Sequence, residues 1–367
     1  MKKKVLFIIW SYSYGGGAER ILTNIVNNLD PSKYEIDILE YVYVGIKKEE
    51  INDNINLLNP IIDITDRSFI NRVNNYIKEK VVYRFPKLLR QKYIKKDYDV
   101  EIAFNYLIPT FLLNYNAKTI GWCHGAVTDL KENDKLKKLQ KKYYDKINKI
   151  VAISNKTFDS VIDVYPEYKN KVELIYNGFD KNNILNKIND YKAENIDILY
   201  CGRFDENKNP AKFIEIIKNI KKVKNDIMAG MLGIGKLEEN IKKMIDEYEL
   251  GDNVILYGYK DNPYPIINST KIMCLTSYSE GFPTVLMEGM ILGKPFISTE
   301  VAGTKEMSNS NKCGFVSNDN EMLCKYAIKL LEDKKLYDVM SRDSKKHAEN
   351  FTLINQIKNI ESIIDKE

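Results

Sequence analysis

The chain has 367 residues, 44% hydrophobic and 29% charged, with 56 Lys plus Arg against 51 Asp plus Glu. That length holds about two domains of ordinary size, and a net charge of +5 is too mild to point to nucleic acid, so no nucleic-acid partner is expected. Cys123, Cys201, Cys274, Cys313 and Cys324 form no C-x-x-C pair, which argues against a disulfide framework or a cysteine metal centre and fits a reducing cytoplasm.

Lys2-Lys3-Lys4 precede an apolar run at 5–10. The run is shorter than a signal-peptide core, and no stretch reaches the roughly 18 apolar residues of a bilayer span. The reading is therefore a buried first strand, 5–9, in a cytoplasmic protein. A glycine loop, Gly15-Gly16-Gly17, and a helix at 19–29 follow. The loop reads either as a phosphate-approaching backbone at a helix start or as a plain tight turn. It is not the nicotinamide fingerprint, because Arg20 takes the last glycine position.

A strand at 36–44 leads into a basic stretch. Between Arg67 and Lys96 there are ten Lys or Arg and one acid, Glu79, with apolar residues at near-helical spacing broken by Pro86. Two amphipathic helices are expected, with 67–96 touching an anionic membrane surface; a solvated helix face packed on its own sheet is the alternative. Asp97-Tyr98-Asp99 fits a D-x-D pattern, but it precedes the strand at 100–104. It therefore lies at the wrong strand end for a ligand, and a turn is expected.

The strand at 119–123 ends at His124-Gly125. A histidine at a carboxyl strand end suits hydrogen bonding to a sugar, or carrying a proton near neutral pH; a structural ring is the bland reading. Strands at 150–153 and 172–175 close the first set. The turn Asn177-Gly178-Phe179-Asp180 and the polar residues after it mark the break.

The second set has strands at 196–201, 226–232, 254–256, 272–275 and 295–298, with helices at 210–223 and 236–248. Strand–helix alternation implies α/β domains with parallel sheets covered on both faces. Ligands of such sheets sit outside the carboxyl ends of the strands. There, Gly202-Arg203 with Lys208 supplies a planar fork and a point charge suited to a diphosphate. The second such loop runs from Glu280 to Glu288. Pro283 can begin a helix, so that the N–H groups of Thr284, Val285 and Leu286 face an anion. Side chains lean toward the helix start, which brings Glu288 back toward a ribose while Glu280 meets sugar hydroxyls. Two carboxylates beside an anion site make sense if polyhydroxyl groups flank it.

Together these residues resemble the retaining glycosyltransferases of family 4, the glycosyl transferases group 1, with the two-domain GT-B fold. The match covers nearly the whole chain. It rests above all on Glu280-x7-Glu288 with Met290, Gly293 and Pro295, and is supported by the glycine loop with Glu19, by His124, Ser154, Asn177-Gly178-x-Asp180, Gly233-x-Gly235-x-x-Glu238, and Gly303 with Glu306. Gly289 departs from the family's usual Ala.

The resemblance implies two Rossmann-like domains with parallel sheets facing across a cleft. Residues 1–180 would bind the acceptor and 190–350 the donor, with 351–367 a helix crossing back to the first domain. It implies that Arg203 and Lys208 hold the donor diphosphate, that Glu288 takes the ribose, and that Glu280 with Gly281 and Phe282 orients the transferred sugar. Pro283, Thr284 and Val285 line the donor site with Gly16 and Gly17, and His124 contacts the sugar near the reacting carbon. It implies no metal and no cofactor beyond the nucleotide-sugar substrate, a UDP-sugar by family frequency. The acceptor would be a lipid-linked sugar or polysaccharide of bacterial cell-surface glycan synthesis, at the inner membrane face. A nucleotide-sugar epimerase, or a nonenzymatic nucleotide-sugar-binding protein, is the competing reading.

Overall fold

The apolar runs become two sets of parallel strands in the computed structural model, which describes residues 1–46 and 50–366. The chain divides into two units, one of residues 1–178 with 353–367 and one of residues 179–352.

The first unit contains β1 (Lys3–Ile9), β2 (Tyr34–Glu40), β3 (Val42–Tyr43), β4 (Ile55–Leu57), β5 (Ile62–Asp63), β6 (Val100–Ala103), β7 (Lys118–Cys123), β8 (Lys149–Ala152) and β9 (Val172–Leu174). Seven strands form one parallel sheet in the order β4-β2-β1-β6-β7-β8-β9, and β3 with β5 forms a separate two-stranded ribbon. The central β1 is buried on both faces from Val5 to Ile9, as a strand covered by helices on either side must be. The strand expected at 36–44 is interrupted at Tyr41, between β2 and β3, although the Tyr41 N–H still donates to the Ile9 carbonyl of β1 at 2.9 Å.

The second unit contains β10 (Ile196–Cys201), β11 (Ala229–Leu232), β12 (Val254–Gly258), β13 (Thr270–Leu275), β14 (Phe296–Ser298) and β15 (Gly314–Val316), all parallel in the order β12-β11-β10-β13-β14-β15. The strand expected from 226 starts only at Ala229, because exposed Asp226 pairs with Lys224 at 2.6 Å in the preceding turn.

In each sheet the strand order reverses beside one central strand. In the first unit β1 lies between β2 and β6; in the second β10 lies between β11 and β13. The helices leave such a switch point in opposite directions, opening a crevice at the carboxyl ends. In the first unit those ends carry Trp10 and Phe104, and in the second Gly202 and Thr276.

The chain passes between the units at 178/179 and again at 352/353. Within the second unit, the Phe179 N–H donates to the Phe351 carbonyl at 3.0 Å, and Phe179 bridges Thr352. Within the first, the Gly178 N–H donates to Gln356 Oε1 at 3.0 Å. The last helix, Leu353–Asp365, buries Ile357, Ile360, Ile363 and Ile364 in the first unit. Its Asp365 there meets Lys3 and Tyr34, both at 2.8 Å.

Candidate functional site

Two loops at the switch point of the second sheet hold the polar side chains. The loop after β10 is locked from behind. The Phe204 N–H donates to Ile234 O, and the Leu237 N–H to Phe204 O, both at 2.9 Å. Gly233, at φ +144°, and Gly235 leave room for this approach. A Cβ on the first would stand 2.0 Å from Gly202 O, and one on the second 2.4 Å from Phe204 O. Asp205 organises the loop's charge. Its carboxylate accepts from the Lys208 N–H at 2.9 Å and from Arg203 Nε at 3.0 Å. Burial works to raise the Asp205 pKa, but these donors outweigh it and hold the group below the usual carboxylate range. Arg203 keeps an exposed side chain, 58% accessible.

The loop after β13 closes onto the first. Tyr278 N–H donates to Asn207 O at 2.8 Å, and Asn207 Nδ2 to Ser279 O at 3.0 Å. Thr276 Oγ1 donates to the Lys208 and Asn209 carbonyls at 3.1 and 2.9 Å. The structure thereby brings Lys208 and Glu280 together: Lys208 Nζ lies 2.6 Å from Glu280 Oε1, which also accepts from Ser277 Oγ at 2.6 Å. Both side chains are largely buried, so the pair is less screened than a surface ion pair. Glu280 is thus fixed by two donors through one oxygen.

The following helix, Thr284–Ile291, starts one residue later than expected. Pro283 is its N-cap, in extended conformation at ψ 104°, and the first helical N–H belongs to Thr284. Gly303, at φ +85°, lets Phe282 and Pro283 lie against its backbone, where a Cβ would come within 2.8 Å of Phe282. The Phe282 ring also packs on Phe351 at 5.4 Å. Glu288 lies one turn into the helix on the same face as Thr284 and is 3% exposed. At Gly289 a Cβ would stand 2.6 Å from Met273 Cγ; the methionine occupies the volume that an alanine would need.

In the first unit the expected residues sit at the corresponding edge. The helix after β1, Gly17–Asn28, begins earlier than expected, so Gly17 is its first residue and Gly16 its N-cap. Gly15, at φ +79°, is the glycine whose conformation disfavours a side chain. Buried Glu40 at the end of β2 holds this loop, its Oε2 accepting from the Tyr12 and Ser13 N–H groups and from Ser13 Oγ at 2.9, 3.1 and 2.9 Å. Asn105 Oδ1 accepts from the Trp10 N–H at 2.9 Å. The His124 ring is 4.4 Å from Phe104 and parallel to Trp122, and its Nε2 is sealed from solvent with no hydrogen-bond partner. Burial pushes its pKa down to about 3, against the opposing hydrogen bond to the Phe104 backbone. His124 is therefore neutral at pH 7. The expectation that it carries a proton near neutrality does not fit this environment; a neutral ring with an unused nitrogen does.

Sequence reasoning missed Asp205, Ser277, Glu40 and Asn105. Only Asp205, three residues before Lys208, carried a local signal, that of a side chain turning back to a backbone N–H. The D-x-D residues are structural at Asp99, which accepts from the Lys4 N–H at 2.7 Å. Among the described residues, no group of three or more His, Cys, Asp and Glu is placed to hold a metal ion.

Comparison with known proteins gives the family. Residues 15–183 match the family model described as Glycosyltransferase Family 4, and residues 180–347 match the model described as Glycosyl transferases group 1. Two Campylobacter jejuni enzymes are similar along nearly their whole length. The N-acetylgalactosamine-N,N'-diacetylbacillosaminyl-diphospho-undecaprenol 4-alpha-N-acetylgalactosaminyltransferase is 27% identical over 96% of both chains. The GalNAc-alpha-(1->4)-GalNAc-alpha-(1->3)-diNAcBac-PP-undecaprenol alpha-1,4-N-acetyl-D-galactosaminyltransferase is 23% identical over 95% of both. Among solved structures, Anabaena Alr3699/HepE in complex with UDP superposes with a TM-score of 0.76 over 99% of both chains at 15% identity. With two parallel-sheet units, a charged pair at the switch point of the second, and family models matching both, the chain belongs to the family 4, group 1 glycosyltransferases and has the GT-B fold.

Proposed function

We propose that this glycosyltransferase moves a sugar from a UDP-sugar to a lipid-linked or polysaccharide acceptor with retention of anomeric configuration. The second unit holds the donor and the first the acceptor. The observation that carries this is the Lys208–Glu280 pair at 2.6 Å, at the sheet's switch point and just before the helix Thr284–Ile291. A diphosphate entering there meets Arg203 and Lys208 and the first N–H groups of that helix, while Glu280, already oriented by Ser277, accepts from sugar hydroxyls. In the step, the bond from the anomeric carbon to the β-phosphate oxygen breaks and a bond to the acceptor oxygen forms. The acceptor proton passes to the leaving phosphate, whose growing charge the two cationic side chains stabilise. Glu288 holds the ribose. No metal ion takes part in this reading. The two Campylobacter relatives, named for undecaprenol-linked sugars, support the lipid-linked acceptor.

The membrane contact belongs to the same proposal. No helix among the described residues is long and apolar enough to cross a membrane, but the helix Phe69–Arg84 exposes Phe69, Ile70, Val73 and Ile77, and the helix Pro86–Tyr93 exposes Leu88. Beside these lie Lys80, Arg84 and Lys87. An apolar stripe flanked by cations suits an anionic bilayer surface.

A thermal-shift screen of UDP-, GDP- and ADP-sugars, followed by turnover in EDTA, tests the reading. A UDP-sugar is expected to stabilise the protein by mass action, Glu288→Ala to weaken that effect, and Arg203→Ala or Lys208→Ala to lower turnover about 100-fold or more. Unchanged kinetics in all three variants, or activity lost in EDTA, would contradict it. Donor epimerisation without acceptor would instead reveal an epimerase.

A further inference from the structure

The first unit contains a second concave site. It is a pocket of about 340 Å³ between the loop after β5 and the helix Phe69–Arg84, within the size range of small-molecule sites. The loop contributes Asp66 and Arg67, and the helix contributes Arg72, Asn75, Tyr76 and Glu79. Asn75 is 8% exposed; its Nδ2 donates to Asp63 O at 2.7 Å, but its Oδ1 has no partner. Among the described residues, Arg67 and Arg72 enter no ion pair.

Beside the exposed Ile64, the lining contains two guanidinium groups, two carboxylates and a tyrosine ring. A bare polyanion would be repelled by Asp66 and Glu79, and an apolar ligand would strand all of them. A neutral sugar satisfies both kinds of group, since each hydroxyl donates and accepts, and its C–H face can lie on the exposed Tyr76 ring. The pocket also lies at the ligand end of the sheet. It adjoins the ribbon that follows β2, and Glu79 is within electrostatic reach of Tyr41, whose ring is 5.2 Å from Trp10 at the end of β1. On the helix, Arg72, Tyr76 and Glu79 are turned about a quarter of the circumference from the exposed Phe69, Val73 and Ile77. The pocket therefore opens beside the stripe proposed to face lipid.

We infer that this pocket binds a neutral sugar residue of the acceptor glycan, held by Arg72 and Glu79 with Tyr76 as its platform. The inference deepens the glycosyltransferase reading and rests on it. Saturation-transfer NMR on the full chain tests it, with UDP present and the methyl α-glycosides of glucose, galactose, N-acetylglucosamine and N-acetylgalactosamine as probes. At least one glycoside is expected to give a signal that Tyr76→Ala and Arg72→Ala each lower by about fivefold, the loss of one or two polar contacts. That signal should persist with excess inorganic pyrophosphate, while thermal stabilisation by UDP stays intact in both variants, whose side chains are exposed. If no glycoside gives a signal lowered by either substitution, or if pyrophosphate abolishes it, the inference is overturned. Failure of UDP to stabilise the unsubstituted protein sinks the nucleotide-sugar reading instead, and the glycoside signals still decide the pocket.

Discussion

At the scale of single residues, the loop carrying Arg203 and Lys208 depends on side chains that are missing as much as on those present. Gly235 faces the Phe204 backbone, not a flexible side chain that could move aside, so Gly235→Ala must shift the loop. A stability loss of about 1–3 kcal/mol is expected from such overpacking, together with weaker UDP stabilisation measured by calorimetry. A variant as stable and as responsive to UDP as the original would show that the loop's position is not set there. His124 makes a prediction about pH. Its folded pKa of about 3 lies below the ordinary 6.5, so the unfolded chain takes up a proton that the folded chain refuses. Its contribution to stability is therefore full above pH 6.5 and is lost as pH falls toward 3. Between pH 7 and pH 5 this amounts to about 2 kcal/mol. His124→Phe should flatten that part of the stability curve in urea titrations, and an unchanged slope would mean that the ring is hydrated.

At the scale of elements, the basic stretch at 67–96 divides by function in a way that composition hides. Arg90 was counted with its neighbours as part of a cationic face, yet it turns inward. Its two terminal nitrogens reach the fully buried Glu101 at 2.8 and 2.6 Å, and one also donates to Leu112 O. Burial raises the Glu101 pKa against the opposing pull of Arg90. Arg90→Ala should cost about 3–5 kcal/mol, because it strands a buried carboxylate. Joint neutralisation of the surface residues Lys80, Arg84 and Lys87 should leave stability within about 1 kcal/mol while reducing sedimentation with anionic liposomes in low salt. Equal liposome binding before and after would remove the membrane contact.

Other elements were legible in proportion to their burial. β1, β10 and β13 are built on apolar runs and begin within two residues of where the sequence puts them. β4, with two of its three residues exposed, and the three-residue β15 are too short or too polar to announce themselves. The site was legible loop by loop, since glycines, cations and acids follow strand ends. What could not be read was the pairing. Lys208 and Glu280 are 72 positions apart, and only the adjacency of β10 and β13 brings their loops together. Glu40, on a strand that also carries Glu35 and Asp37, gave no hint that it would hold the glycine loop.

At the scale of the whole molecule, the first unit is not one continuous stretch of chain. The helix Leu353–Asp365 contributes four buried isoleucines to it, after the chain has completed the second unit. The two passages are tied on both sides of the boundary, through Gly178 to Gln356 and through Phe179 to Phe351. The two units therefore do not come apart symmetrically in the laboratory. Residues 179–352 can be cut out as one uninterrupted gene fragment, and should fold and respond to UDP alone. Residues 1–178 cannot: without their closing helix they should aggregate on expression, and supplying 353–367 as a separate peptide, or grafting it after 178 through a short linker, should restore solubility. Anyone building chimaeras within this family by swapping halves at 178 would leave each hybrid with the closing helix of the wrong parent, and should move that tail together with the first 178 residues.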